Sequence, residues 1–145
     1  MSLEFSFPLH KLARLEQVLA RLDVLPRRVA EIAAHAITAE LQKEYTRGVD
    51  PHGRKWRKLA TGKASHLEES GRLRRGTRAA PLPGKRAGVR ILFGSRAKIA
   101  ALHQTGTARM PARRILPDKG MPASWKAALE RAHRQAFRQL TSGGR

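Results

Sequence analysis

Gly48-Val49-Asp50-Pro51-His52-Gly53-Arg54-Lys55-Trp56 is the stretch on which the reading of the fold turns. It separates a chain of two textures. Upstream, Leu9, Leu12, Leu15, Leu19 and Leu22 recur at steps of three and four, which predicts an amphipathic helix over residues 8–23 with Pro8 near its first turn. Asp23 to Leu25 interrupts that pattern, and Pro26 suits the first position of a second helix running to Thr46. Val29, Ile32, Ala33, Ala36, Ile37, Glu40, Leu41 and Tyr45 fall on its successive turns, and the alanines allow another backbone to come close. Gly48 and Asp50-Pro51 end the helix, because a residue before proline is pushed out of the helical region.

Downstream the pattern breaks into short pieces. Trp56 and Leu59 are large apolar groups in a polar loop over 47–65, so they are expected to pin that loop to the body; the competing reading makes Trp56 a partner contact. A short helical turn is expected from Ser65 to Glu69, with Gly71 as its stop. Strands are predicted over Leu73–Ala80 and Val89–Gly94, joined by a hairpin tip from Pro81 to Gly88 that holds two prolines and two glycines. Arg72, Arg74, Arg78 and Arg90 alternate in part with apolar or small residues, which would gather guanidinium groups on one sheet face. Ser95 to Gln104 reads as a helix with Ser95 as N-cap and Gly106 as terminator, and with Ile99, Leu102 and His103 facing inward. Residues 105–117 are too rich in Gly, Pro and Arg for regular structure and predict an extended basic loop or arm. A last helix over 118–140 is signalled by Trp125, Ala128, Leu129, Ala132, Ala136, Phe137 and Leu140, with Lys126, Arg131, Arg134 and Arg138 outward and a frayed tail over 141–145. The expected fold is α+β in one domain over 1–145: N-terminal helices, a small, largely antiparallel sheet, the basic loop and a C-terminal helix.

Charge divides the chain at the same place. Residues 1–46 carry six basic side chains (Lys11, Arg14, Arg21, Arg27, Arg28, Lys43) and six acidic ones (Glu4, Glu16, Asp23, Glu31, Glu40, Glu44). The remaining 24 basic and five acidic residues all lie in 47–145, so that part accounts for the whole net charge of +19. So basic a body points to an acidic partner, either nucleic acid held through its phosphates or an acidic protein; the competing reading is a basic solvated surface with no bound polyanion. Arg72, Arg74, Arg75, Arg78, Lys85 and Arg86 are the candidate polyanion-facing residues. At 145 residues one modest core is possible and two ordinary domains are not. With no Cys there is neither a disulfide framework nor a thiolate metal site, which fits folding in the cytoplasm. No apolar run approaches the roughly 18 residues of a membrane span, and no secretory leader is evident.

Chemistry at an active site needs converging carboxylates, histidines or cysteines. His103 with Asp50, His52 or His66 is the only conceivable cluster, and its spacing matches no zinc or nuclease signature. Gly84 to Gly88 lacks the strand-loop-helix context and the Lys-Ser/Thr ending of a phosphate loop. The reading is therefore a non-enzyme with no catalytic, metal-binding or cofactor-binding residues. His103 and Gln104 are expected to hydrogen-bond at a helix end, or alternatively to touch a neighbouring subunit.

Four motifs follow one another in fixed order: Gly48 to Trp56, then Ser70-Gly71-Arg72-Leu73, then Ala101-Leu102-His103-Gln104-Thr105-Gly106, then Met110-Pro111-Ala112-Arg113-Arg114-Ile115-Leu116. Over residues 25–120 this series resembles the virion-morphogenesis, or tail-completion, family of Mu- and P2-type tailed phages, and more distantly the lambda-type minor tail protein Z. Asp50-Pro51, Gly53, Trp56 and Leu59 are similar to the family's junction between helix and body. Leu67 through Leu73 matches its leucine and serine-glycine-x-leucine stretch, His103-Gln104-Thr105-Gly106 its His-Gln-x-Gly, and Pro111-Ala112-Arg113 its proline-alanine-arginine. The chain departs from the family in having Arg114 and Ile115 where Pro and Phe are usual, and Leu102 at a position often aromatic or small. The resemblance implies a structural protein of the tail or neck, assembled in the host cytoplasm into a hexameric ring that completes the tail and joins it to the head. Its implied partners are further copies of itself, tail-terminator, tail-tube or head-connector proteins, and DNA in the lumen. The contact segment expected is the arm over 107–116, with His103, Gln104, Arg109, Met110, Pro111, Arg113, Arg114, Ile115 and Leu116 as interface residues. The alternative is a free-standing nucleic-acid-binding protein.

Overall fold

The computed structural model describes residues 9–63, 65, 67, 70–84 and 88–142, giving only the backbone course for 9–23. Pro8, the side chains of the leucine series from Leu9 to Leu22, His66, Lys85, Arg86, residues 143–145 and most of the turn expected at 65–69 lie outside what is described. The class is α+β, as expected. Helix α1 (Leu9–Arg47) is followed by a short α2 (Arg72–Gly76), strands β1 (Arg78–Pro81) and β2 (Val89–Leu92), then α3 (Ala97–Thr105) and α4 (Ala123–Ser142).

The two predicted N-terminal helices are one, 39 residues long, with Pro26 inside it. Pro26 lacks the N–H that would reach back one turn, a loss of roughly 3 kcal/mol in a helix interior. Yet the apolar spacing Leu22, Leu25, Val29, Ile32 keeps step across the proline, so a break would put the two apolar series out of register. At 1.5 Å per residue α1 is about 58 Å long. Its C-terminus closes as a Schellman motif: Val49 N–H donates to the Glu44 carbonyl at 3.1 Å and Gly48 N–H to that of Tyr45 at 3.2 Å, with Gly48 at φ 64°.

Helix α4 packs along α1 through small side chains. Ala30, Ala33, Ala34, Ile37 and Leu41 are buried on α1, and Trp125, Ala128, Ala132 and Ala136 on α4. The expected outward residues Lys126, Arg131, Arg134 and Arg138 are exposed, but so is Phe137. The helix starts at Ala123 rather than 118, because the chain is still turning at Gly120 (φ 63°) and Pro122 is buried just before it.

An adjoining stripe of α1 carries the sheet. Thr38 Oγ1 accepts from Ala79 N–H at 2.9 Å, and Gln42 Nε2 donates to the Thr77 carbonyl at 3.1 Å. The strands pair antiparallel, Arg78 opposite Leu92 and Ala80 opposite Arg90. Both are shorter than predicted. Arg72 to Gly76 is helical rather than extended, so Arg72, Arg74 and Arg75 do not belong to a sheet face; Arg74 turns back to Gln42 Oε1 at 2.9 Å and Thr46 Oγ1 at 2.9 Å. The core between these layers is small: Ile37, Leu41, Tyr45, Trp56, Leu73, Ala79, Ala100, Ile115, Trp125 and Ala128. Tyr45 and Trp56 meet edge to face with centroids 5.7 Å apart.

Candidate functional site

The first motif folds as a turn whose residues each have a local task. Asp50-Pro51-His52-Gly53 places proline second and glycine fourth, and Gly53 N–H donates to the Asp50 carbonyl at 2.9 Å. The buried Asp50 carboxylate accepts from His52 N–H (3.0 Å) and Arg54 N–H (2.9 Å) through Oδ1 and from Arg54 Nε (2.6 Å) through Oδ2. Arg54 then reaches 64 residues along the chain to Asp118 Oδ1 at 2.7 Å. Arg114 lies 3.3 Å from the same carboxylate and His52 Nε2 3.7 Å. The hydrogen bond from Arg54 holds Asp118 below the usual carboxylate range.

Trp56 is the expected anchor, 7 % exposed, and its Nε1 donates to the Arg114 carbonyl at 2.8 Å. Leu59 is exposed, so it does not share that role. Residues 105–117, predicted as an extended basic loop or arm, instead lie along the body within a strap over 106–122. Gln104 binds it with one amide: Oε1 accepts from the N–H groups of Ile115 and Leu116, both at 2.9 Å, and Nε2 donates to the Leu116 carbonyl at 3.0 Å. Arg113 is 5 % exposed and donates to the carbonyls of Arg57 (Nε, 2.9 Å) and Lys58 (Nη2, 3.2 Å). Its own N–H meets the His103 carbonyl at 2.7 Å. Gly106, at φ 75°, admits the strap because a Cβ there would stand 2.8 Å from the Ala112 nitrogen.

Several expectations for this region are corrected. Ile115 is 1 % exposed and belongs to the core, since the strap must bury something to lie flat. Arg113 is likewise enclosed within its own chain. Met110, Pro111 and Leu116 are half-buried, while Arg109 and Arg114 are exposed. Helix α3 begins after a 3-10 turn at Gly94–Arg96, so Ser95 is not its cap. Ala100 faces inward in place of Ile99 and Leu102, both exposed. Gly106 does end α3, donating to the Leu102 carbonyl at 2.8 Å.

His103 is half-buried, with Nδ1 enclosed and lacking a partner among the described residues. Burial, and then the charge of Arg113, push its pKa below the ordinary histidine value. No described bond joins it to Asp50 or His52. Among the described residues no group of three or more His, Asp or Glu is placed to hold a metal ion, and no helix is long and apolar enough to cross a membrane.

The basic face is arranged differently from the strap. Arg72, Arg75, Arg78 and Arg90 are exposed, and none pairs with a described carboxylate. Arg78 and Arg90 share the outer side of the hairpin, since each stands opposite a partner on that side. Sequence reading missed Arg54 and Asp118, and it missed the enclosure of Arg113. The Asp-Pro-x-Gly turn signature was the available signal for the first; Asp118 has Arg114 four residues away but meets Arg54 only across 64, and nothing local marks the enclosure of Arg113, whose side-chain acceptors lie more than 50 residues away.

One acidic group stands apart. Glu44 is 7 % exposed; its Oε1 accepts from Trp125 Nε1 at 2.7 Å, and its Oε2 is buried without a partner among the described residues. Burial pushes its pKa up to about 7. Comparison of the chain with protein-family models, with curated proteins and with solved structures finds no match.

Proposed function

We propose that the protein is a non-enzymatic structural component of a phage tail or neck, a ring-forming subunit acting in tail completion and head–tail joining. One observation supports this reading above the others. The first, third and fourth motifs are bonded into one unit through Asp50, Arg54, Trp56, Gln104 and Arg113, and Leu73 of the second is buried in the same core. Their polar groups hold backbone in place, which is the role of a scaffold signature. Ring closure requires head-to-tail contacts between unlike surfaces. The outward residues Ile99 and Leu102 of α3 with Arg109 and Arg114 of the strap are the surface offered for them. Neighbouring copies, terminator, tube or connector proteins are the partners, the virion is the destination, and DNA passing the lumen meets the exposed arginines.

The rival reading is a free-standing nucleic-acid-binding protein, favoured by the exposed Arg72, Arg75, Arg78 and Arg90, none of which pairs with a described carboxylate. Light scattering on nucleic-acid-free protein separates the two. A ring subunit forms a defined multimer or joins purified tails, and L102E with R109E abolishes this while leaving the fold intact. A protein that stays monomeric, does not join tails, and binds duplex DNA with a steep salt slope sinks the tail reading.

A further inference from the structure

We propose that the free edge of β2 is a docking site for an extended segment of a partner protein, in which acidic side chains alternate with apolar ones. The inference stands on the hairpin alone, so its failure leaves the tail reading untouched.

The two edges of the sheet are unequal. Ala79 N–H points away from β2 to Thr38 of α1, and the Thr77 carbonyl accepts from Gln42, so α1 closes the β1 edge. In an antiparallel ladder, pairs that exchange bonds alternate with pairs that do not. Ala79–Ile91 is therefore a non-bonded pair, and Arg78–Leu92 and Ala80–Arg90 are the bonded ones. The bond from Leu82 N–H to the Gly88 carbonyl at 2.9 Å continues the same alternation. The N–H and C=O groups of Val89 and Ile91 consequently point outward from β2, where no described residue bonds them. No proline or bulge interrupts this edge, and a two-stranded sheet is the least self-sufficient kind.

The side chains specify what would pair there. Val89 and Ile91 pack on the core side, half-buried, so an added strand extends that layer with apolar residues. Arg78 and Arg90 occupy the outer side, exposed and without a described carboxylate, so the alternate residues of the added strand should be acidic. A second copy of this chain fits poorly: it would bring another +19 and another Arg90 to the same edge. Main-chain bonds supply the affinity and the alternation supplies the selection.

The test uses the full chain and a fluorescent eight-residue peptide alternating Glu with Val and Ile. Expected are saturable binding, a scrambled peptide of the same composition at least tenfold weaker, and slower amide exchange at Val89 and Ile91 on binding, with Arg90 and Leu92 already protected in the free protein. Ile91→Pro removes an outward N–H and leaves the ladder bonds, so it should weaken binding tenfold or more; where its circular dichroism shows misfolding, Arg90→Glu should do the same by charge. Equal binding of the scrambled peptide, unchanged exchange at Val89 and Ile91, or full displacement by short duplex DNA with no such protection overturns the proposal in favour of non-specific attraction.

Discussion

The strap over 106–122 and the hairpin of β1 and β2 invert the usual relation between regularity and anchorage. The strap has almost no repeating structure, yet its backbone is bonded by Gln104 and Trp56, its Arg113 side chain reaches the Arg57 carbonyl, and it seats Ile115 in the core. The hairpin has the ladder, yet no described residue bonds one of its edges and one of its faces carries exposed arginines. A buried irregular segment must find partners for each N–H and C=O outside any ladder, so its polar neighbours become structural. A ladder meets that need internally and leaves side chains free. Basic residues in the two regions thus have opposite meanings: Arg113 is a strut, Arg90 a presented charge.

Breaking the strap should cost most. Gln104→Leu leaves the N–H groups of Ile115 and Leu116 without their acceptor and should lower unfolding free energy by about 3 kcal/mol, read from urea melts. Gln104→Glu keeps the acceptor and should lose clearly less. Equal losses would show that shape, and not the shared oxygen, holds the strap.

Where the strap hands over to α4, Glu44 gives a pH-dependent contrast. Its native pKa of about 7 lies above the ordinary 4.5, so the native state binds more protons than the unfolded chain between those values. Its contribution is complete below about pH 4.5 and is lost as pH rises to about 7. Glu44→Gln keeps an oxygen for Trp125 Nε1 and cannot ionise, so it should be more stable than the parent at pH 8 by about 1–2 kcal/mol, with the gap closing by pH 5. A gap that does not change with pH would mean that Glu44 is not the titrating group.

How legible all this was depended on distance along the chain. Helical periodicity and the capping glycines Gly48 and Gly106 are local signals, and they placed α1's end, α3's end and most of α4. Trp56 stood out as an anchor because its surroundings are polar. The errors came where a local rule met a tertiary one. Pro26 reads as a start until the register across it is followed, and Arg72 to Gly76 alternates like a strand although Leu73 alone needs burial. The site was less legible. Gly, Pro and Arg in 105–117 predict a loop or arm, and it is the bonds to Arg57, Lys58, Trp56 and Gln104 that show it is held.

The hairpin should respond more mildly. One hydroxyl fixes its closed edge: Thr38 Oγ1 donates to the Ala34 carbonyl at 2.7 Å and accepts from Ala79 N–H. Thr38→Val keeps the volume, leaves that N–H unbonded, and should cost about 1 kcal/mol with faster exchange confined to the Ala79 amide.

Least of all should follow from Arg78→Gln with Arg90→Gln. Both side chains are exposed on the outer face and neither has a described carboxylate to lose, so stability should stay within about 0.5 kcal/mol of the parent. Removing two like charges from a +19 chain relieves repulsion, so any change should be a small gain that fades as salt rises. A melt in low and high salt measures both. A loss above 1 kcal/mol would mean that these arginines cover apolar surface with their stems and hold the hairpin as Arg113 holds the strap, and the contrast between presented and structural arginines would then fail.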